Sequence, residues 1–136
     1  MYASAQDMVA WLGEAEMVQL TAERGQLDGP VVEARAEAAL RDASAVIDTA
    51  LRRYYALPLL QVPAEIARMC RLIARYELSQ GDGRTAGEDA VRGYEEAKSW
   101  LKRIAADEFQ LDLPRAATRP AARVSDRPRQ CFGLTG

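Results

Sequence analysis

Between Leu40 and Tyr54 the apolar residues return every three or four positions (Leu40, Ala43, Val46, Ile47, Ala50, Leu51, Tyr54), which is one face of a helix. The stripe runs into Leu57-Pro58, and a second helix can start only after Val62-Pro63. Each proline lacks an N–H and pushes the residue before it towards extended backbone, so no single helix crosses this stretch. Two helices, 31–55 and 63–79, are therefore predicted to pack antiparallel across the corner, with the leucines and valine of the corner closing the end of the core. On the second helix Ile66, Met69, Cys70, Ile73 and Tyr76 share a face. Gly81-Asp82-Gly83 interrupts the chain, and Thr85 with Glu88 has the spacing of a capping box. The last helix, ending near Ala106, would bury Val91, Tyr94, Ala97, Leu101 and Ile104. Trp100 falls beside that stripe and fits a core edge or a subunit contact equally well.

The amino-terminal stretch supports only short helices. Ser4 and Asp7 form a capping box with Asp in the usual Glu position, opening a helix that buries Met8, Trp11 and Leu12 and stops at Gly13. A second helical piece, Glu14 to Thr21, is too short to persist unless it lies on longer elements. The turn from Glu23 to Pro30 has too few spaced oxygen ligands for a calcium loop. Asp28-Gly29-Pro30 reads as an N-cap region with proline at the first helical position. Ala34, Ala36, Ala38 and Ala39 then give a small-residue surface that permits close helix approach, or simply high helix propensity.

At the other end, Phe109-Gln110-Leu111-Asp112-Leu113 alternates with the period of a strand, and a lone strand needs a partner that a neighbouring subunit could supply. From Pro114 onward the chain holds three prolines and arginines at 115, 119, 123, 127 and 129, ending with Phe132 and Leu134. Pro120 and Pro128 break the four-residue arginine spacing, so the segment reads as an extended basic arm. The expected architecture is an all-α small helical bundle with a long central helix, a short C-terminal extended strand and this arm. Its division is a helical domain over 1–113 and an arm over 114–136.

Composition narrows the chemistry. The 136 residues suit one core, not two. There is no histidine, which removes the commonest general base and metal ligand together. Cys70 and Cys131 stand far apart and suggest neither a zinc pair nor a disulfide framework, so reduced thiols are expected. No stretch approaches the roughly 18 apolar residues of a membrane span, and no leader pattern is seen, so a soluble protein made in the cytoplasm is expected. No nucleophile elbow, zinc-protease motif or phosphate loop occurs. No enzyme activity, cofactor or metal is expected. Asp48 lies beside the apolar face of its helix, and Arg53 and Arg75 are its candidate ion-pair partners, since a buried charge needs one. Arg68, Arg71 and Arg75 invite a nucleic-acid reading, but Glu65 and Glu77 make a solvated, ion-paired face the plainer one. The net charge of −2 conceals an asymmetry: 19 acidic against 13 basic residues up to Leu113, then one acidic against five basic.

Several short motifs carry a family resemblance. Tyr2-Ala3-Ser4 with Asp7-Met8, Trp11-Leu12-Gly13-Glu14, Glu16-Met17 and Gln19-Leu20-Thr21 are followed by Ile47-Asp48, Leu51, Arg53-Tyr54 and Leu57-Pro58-Leu59. Val62-Pro63, Ile66 and Ile73-Ala74-Arg75-Tyr76 complete the set. In this combination the chain resembles the Mu-like bacteriophage head–tail connector proteins over residues 2 to 113. The resemblance implies a virion structural protein of the neck, assembled in the host cytoplasm: a head-completion adaptor between the portal protein and a tail-side neck or tail-terminator protein. It also implies a homo-oligomeric, twelve-fold ring through whose lumen DNA passes without specific binding. An acidic body suits such a channel, because repulsion discourages sticking. On that footing Arg115, Arg119, Arg123, Arg127 and Arg129 are candidate portal-binding residues, with Phe132 and Leu134 as anchors. The alternative is a nucleic-acid-binding or packaging accessory that uses the same basic arm.

Overall fold

The computed structural model describes residues 1–22 and 29–116, and in them the chain is all-helical. Two short helices, α1 (Ala5–Leu12) and α2 (Glu14–Thr21), precede three longer ones, α3 (Glu33–Leu51), α4 (Ala64–Ser79) and α5 (Glu88–Ala105). The long helices form an up-and-down bundle. Asp42 on α3 lies near Glu77 while Ser44 faces Cys70. Residue numbers thus run in opposite senses along the α3–α4 seam, as the proline corner requires. On α5, Glu96 meets Arg68 and Gly93 lies against Leu72, again antiparallel. Helices α1 and α2 lie across this bundle, with Met8 and Met17 fully buried.

The centre of the core follows the predicted periodicity, with Leu40, Ala43, Ile47 and Leu51 against Ile66, Met69, Cys70 and Ile73, closed by Ala97, Leu101 and Ile104. It also takes in Leu72, Ala74 and Tyr55, while the expected Tyr54 is only half-buried. Tyr76 and Tyr94 stack with centroids 3.9 Å apart and join α4 to α5. Ala36 and Ala39 are buried and Ala34 and Ala38 exposed, so half of the small-residue surface already serves the bundle.

Several details differ from the expectations. Val46 is exposed, because a stripe this wide overruns the arc that two neighbouring helices can cover. At the corner, whose Leu57–Pro58 bond is cis, Leu57 and Leu59 pack on the core, but Leu60 is 93% and Val62 42% exposed. Trp11 is 38% exposed and not core. The first helix does open with the Ser4–Asp7 capping box and stop at Gly13, whose φ of 89° favours glycine. Helix α3 starts at Glu33 rather than near Val31, where the Val32 N–H donates to the Thr21 hydroxyl. Asp28 and most of the turn considered for calcium lie outside the described residues. No Thr85–Glu88 box forms either: Gly87 is the N-cap of α5, without a side-chain cap. Finally, 109–113 is not a strand. Leu111 N–H donates to the Tyr55 hydroxyl and Leu113 N–H to the Leu111 carbonyl, so the alternation serves an irregular tail with one side on the core.

Truncating Ile47 or Ile73 to Ala removes packed volume from the central seam, and each is expected to lower unfolding free energy by ~2–5 kcal/mol in denaturant titrations. Glu77 gives an opposite case. Burial first, and Asp42 second, raise its carboxyl pKa, so ionising it disfavours the folded state. Glu77→Gln should therefore raise the melting temperature at neutral pH, and the gain should vanish on acidification as Glu77 itself becomes protonated.

Candidate interaction surface

The corner end of the bundle holds the most elaborate polar construction among the described residues. Helix α5 finishes in a Schellman motif: Asp107 N–H donates to the Ile104 carbonyl and Glu108 N–H to that of Arg103, both at 3.0 Å. Asp107 takes the left-handed position, φ 57°, which Asp tolerates better than most side chains. That conformation brings its carboxylate to the Arg115 guanidinium in a two-pronged pair, 3.0 Å on each prong. The same guanidinium lies over two rings, 5.2 Å from the centroid of Tyr54 and 5.1 Å from that of Tyr55. Backbone pairing completes the clasp. Ala56 N–H donates to the Pro114 carbonyl and Ala116 N–H to the Tyr54 carbonyl, forming an antiparallel bridge between Tyr55 and Arg115. Pairing predicted for a neighbouring subunit is thus made within the chain, two residues later than the expected strand.

Beside the clasp runs an open groove of about 430 Å³ between the corner and the tail that follows α5. Val62, Trp100, Phe109, Leu111 and Leu113 give its apolar lining, and Glu65 and Asp112 are the acids that line it. Trp100 and Phe109 meet at a tilt of 58° with centroids 5.9 Å apart. Trp100 is half-buried, so it is a core edge that also faces this groove.

The expected Asp48 ion pair with Arg53 and Arg75 is not what the structure contains. Asp48 accepts the Tyr2 hydroxyl, Arg75 pairs with Glu16 on α2 at 2.9 Å, and Arg53 lies over the Tyr54 ring. Each of the three groups has a different partner, and spacing along one helix could not reveal the amino-terminal tyrosine. Burial and the neighbouring Asp48 raise the Tyr2 pKa well beyond its ordinary value, so the hydroxyl stays a donor. Arg68 pairs with Glu96 on α5 rather than Glu65, and Arg71 and Arg75 flank Trp11 at 5.5 and 5.6 Å. The α4 arginines are therefore staples to neighbouring helices. Arg35 and Arg84 act similarly, donating to the last carbonyls of α2 at Ala22, Gln19 and Leu20.

Of the seven candidate portal-binding residues only Arg115 is described, and it is held by Asp107; Arg119, Arg123, Arg127, Arg129, Phe132 and Leu134 lie outside the described residues. The single described thiol, Cys70, is buried between Ser44 and the Leu40 carbonyl, and burial raises its pKa. Among the described residues no three His, Cys, Asp or Glu side chains cluster as metal ligands, and no helix is long and apolar enough to cross a membrane. Sequence reasoning missed the clasp. Its one legible signal was an arginine directly after the proline that ends the apolar tail.

Fold and surface together define a small all-α bundle, stapled by arginines, with an acidic-edged apolar groove at one end. Comparison with known proteins supplies the lineage: the chain matches the family "Bacteriophage Mu, Gp36" over residues 2–127 and belongs to it. It is 35% identical over 107 residues to the Mu-like prophage FluMu protein gp36 of Haemophilus influenzae, covering 79% of this chain and 64% of that protein. It is 32% identical over 103 residues to gene product J of Escherichia phage Mu, covering 76% and 70% of the two chains.

Hydrogen bonds from Arg115, helped by its charge, hold the Asp107 carboxyl below its ordinary pKa against an opposing effect of desolvation. A depressed carboxyl stabilises the folded state above its unfolded pKa and ceases to do so as pH falls through the folded one. The clasp should therefore stay closed through the neutral range and open only in acid. Arg115→Ala should open it at neutral pH, and Asp107→Asn should keep the turn while weakening the pair. Amide exchange reads both: Ala56 and Ala116 should lose protection, while amides of α3 and α4 keep theirs.

Proposed function

We propose that this phage protein is a virion structural component, a head-completion adaptor that forms a ring between portal and tail in the neck. Membership of a bacteriophage Mu family, sustained over residues 2–127, is the observation that carries the reading. The bundle suits it. Ion pairs tie its elements together, as in Arg68–Glu96 and Arg75–Glu16 between helices and Arg115–Asp107 between the tail and the end of α5. The body up to Leu113 is acidic, which suits a wall past which DNA must move without adhering. Partners on this reading are the portal protein, a tail-side neck or tail-terminator protein, and further copies of the chain in a twelve-fold ring. The protein would act in the virion neck after assembly in the host cytoplasm.

The arm is the portal-binding device in this proposal, with Arg115 withdrawn from the set because Asp107 occupies it. Arg119, Arg123, Arg127 and Arg129 would meet portal carboxylates, and Phe132 and Leu134 would fill pockets. A nucleic-acid or packaging accessory is the second reading, favoured by the five arginines past Leu113. Against it, Arg68 and Arg75 on the folded body already face carboxylates.

Phage lacking the protein should accumulate packaged heads without tails, and normal tail attachment would defeat the adaptor role. Truncation after Ala116 keeps the clasp and removes the rest of the arm. That variant should retain its helical circular dichroism yet lose binding to isolated portal rings free of DNA. Undiminished binding would reassign the arm to the genome or to a neighbouring subunit.

A further inference from the structure

We propose that the groove between the corner and the α5 tail is the seat of this chain's own last residues: Phe132 and Leu134 on its apolar wall, Arg127 and Arg129 against Glu65 and Asp112. The inference concerns one chain alone and stands whether or not the portal is the partner.

Three observations carry it. The first is chemical. The groove is lined by Val62, Trp100 and Phe109 as apolar surface and by two carboxylates, Glu65 and Asp112. A matching occupant has apolar side chains next to cations. Arg127, Arg129, Phe132 and Leu134 supply that combination within eight residues of sequence. The second is size. A groove of about 430 Å³ falls within the ~300–1,000 Å³ typical of small-ligand sites, so it accommodates an aromatic and an aliphatic side chain together. Val62, on its wall, and the adjoining Leu60 remain exposed among the described residues.

The third is where the chain leaves. Leu113 lines the groove, and Ala116 is fixed by its hydrogen bond to the Tyr54 carbonyl. Three Cα steps of ~3.8 Å put the point of departure within about 11 Å of the groove wall. The fifteen residues from Ala117 to Cys131 can span up to about 50 Å, so a return to the groove is well within reach. Attachment to the same chain gives the last residues an effective concentration on the order of millimolar, which a second copy in dilute solution does not match. The contact is also small, with one aromatic anchor, so a larger surface can displace it. The clasp has a defined part in this arrangement: by pinning Pro114–Ala116 it fixes the origin of the returning segment beside its seat.

Disulfide trapping tests the proposal in the full-length protein. Gln110 is exposed on the groove wall, Cys131 precedes Phe132, and the remaining thiol, Cys70, is buried. In Gln110→Cys protein at micromolar concentration, diamide should produce an intramolecular disulfide, seen as a monomer of altered mobility on a non-reducing gel. It should form about tenfold faster than in Asp89→Cys, where the new thiol sits in the first turn of α5 far from Trp100. Adding Phe132→Ala to Gln110→Cys should remove that advantage. Equal rates at positions 110 and 89 overturn the proposal, as does indifference to Phe132→Ala. Cross-linked dimers in place of the cyclised monomer overturn it too, assigning the groove to the arm of a second copy. Circular dichroism of each variant establishes that the bundle is intact, since Gln110 and Asp89 are exposed.

Discussion

Everything in this protein leans on the seam between α3 and α4. Two prolines at the corner prevent one continuous helix and turn the chain back, so that Leu40, Ala43, Ile47 and Leu51 face Ile66, Met69, Cys70 and Ile73. Burial of these side chains supplies most of the drive to fold. The seam also contains a polar spine. The Ser44 hydroxyl donates to the Leu40 carbonyl, meets the Cys70 thiol, and accepts the Tyr2 backbone N–H. The extreme amino terminus is thereby fastened to the middle of the bundle, and Tyr2 adds a second tie through Asp48.

Short elements survive only because the seam exists. Helix α2 spans Glu14–Thr21, too short to hold on its own in water. Three arginines from elsewhere keep it in place: Arg75 at Glu16, and Arg35 and Arg84 at its final carbonyls. Individually such partly exposed contacts contribute little. Their effect is geometric, since each fixes the angle of one element against another. Arginines used this way are committed to carboxylates and backbone carbonyls of neighbouring elements.

The corner end concentrates what the protein can offer a partner. The left-handed Asp107, the Arg115 clasp, the groove and the point where the arm departs all lie there. Helix ends are natural places for such features. Beyond α3 and α5 the backbone has left its own hydrogen-bond ladder, and its carbonyls and amides must find partners in other segments. Membership of a bacteriophage Mu family gives this end its context. In the adaptor role we propose, a packed bundle equipped at one end suits a component that must fit between two larger assemblies.

Hydrophobic periodicity by itself determined the long helices, the corner and the central rows of the core, because a 3.6-residue repeat and proline's missing N–H act within a few residues of sequence; it named Tyr54 where the fold buries Tyr55. The Ser4–Asp7 box and the Gly13 stop were legible for the same reason: both caps are local. The motifs from Tyr2 to Tyr76 carry the likeness to Mu-like phage proteins in the sequence alone. Tertiary structure decided the pairings. Asp48 was expected opposite Arg53 or Arg75 and instead meets a tyrosine forty-six residues away; Arg68 chose Glu96 on another helix over Glu65 on its own. Long charged side chains reach across elements, so their partners depend on how helices cross, which no window of sequence contains. The same holds for 109–113. Its alternation fits a strand, but the Tyr55 hydroxyl claimed the Leu111 amide, and the one β-like pairing fell at Arg115, where the folded bundle had brought Tyr54 and Tyr55 within reach.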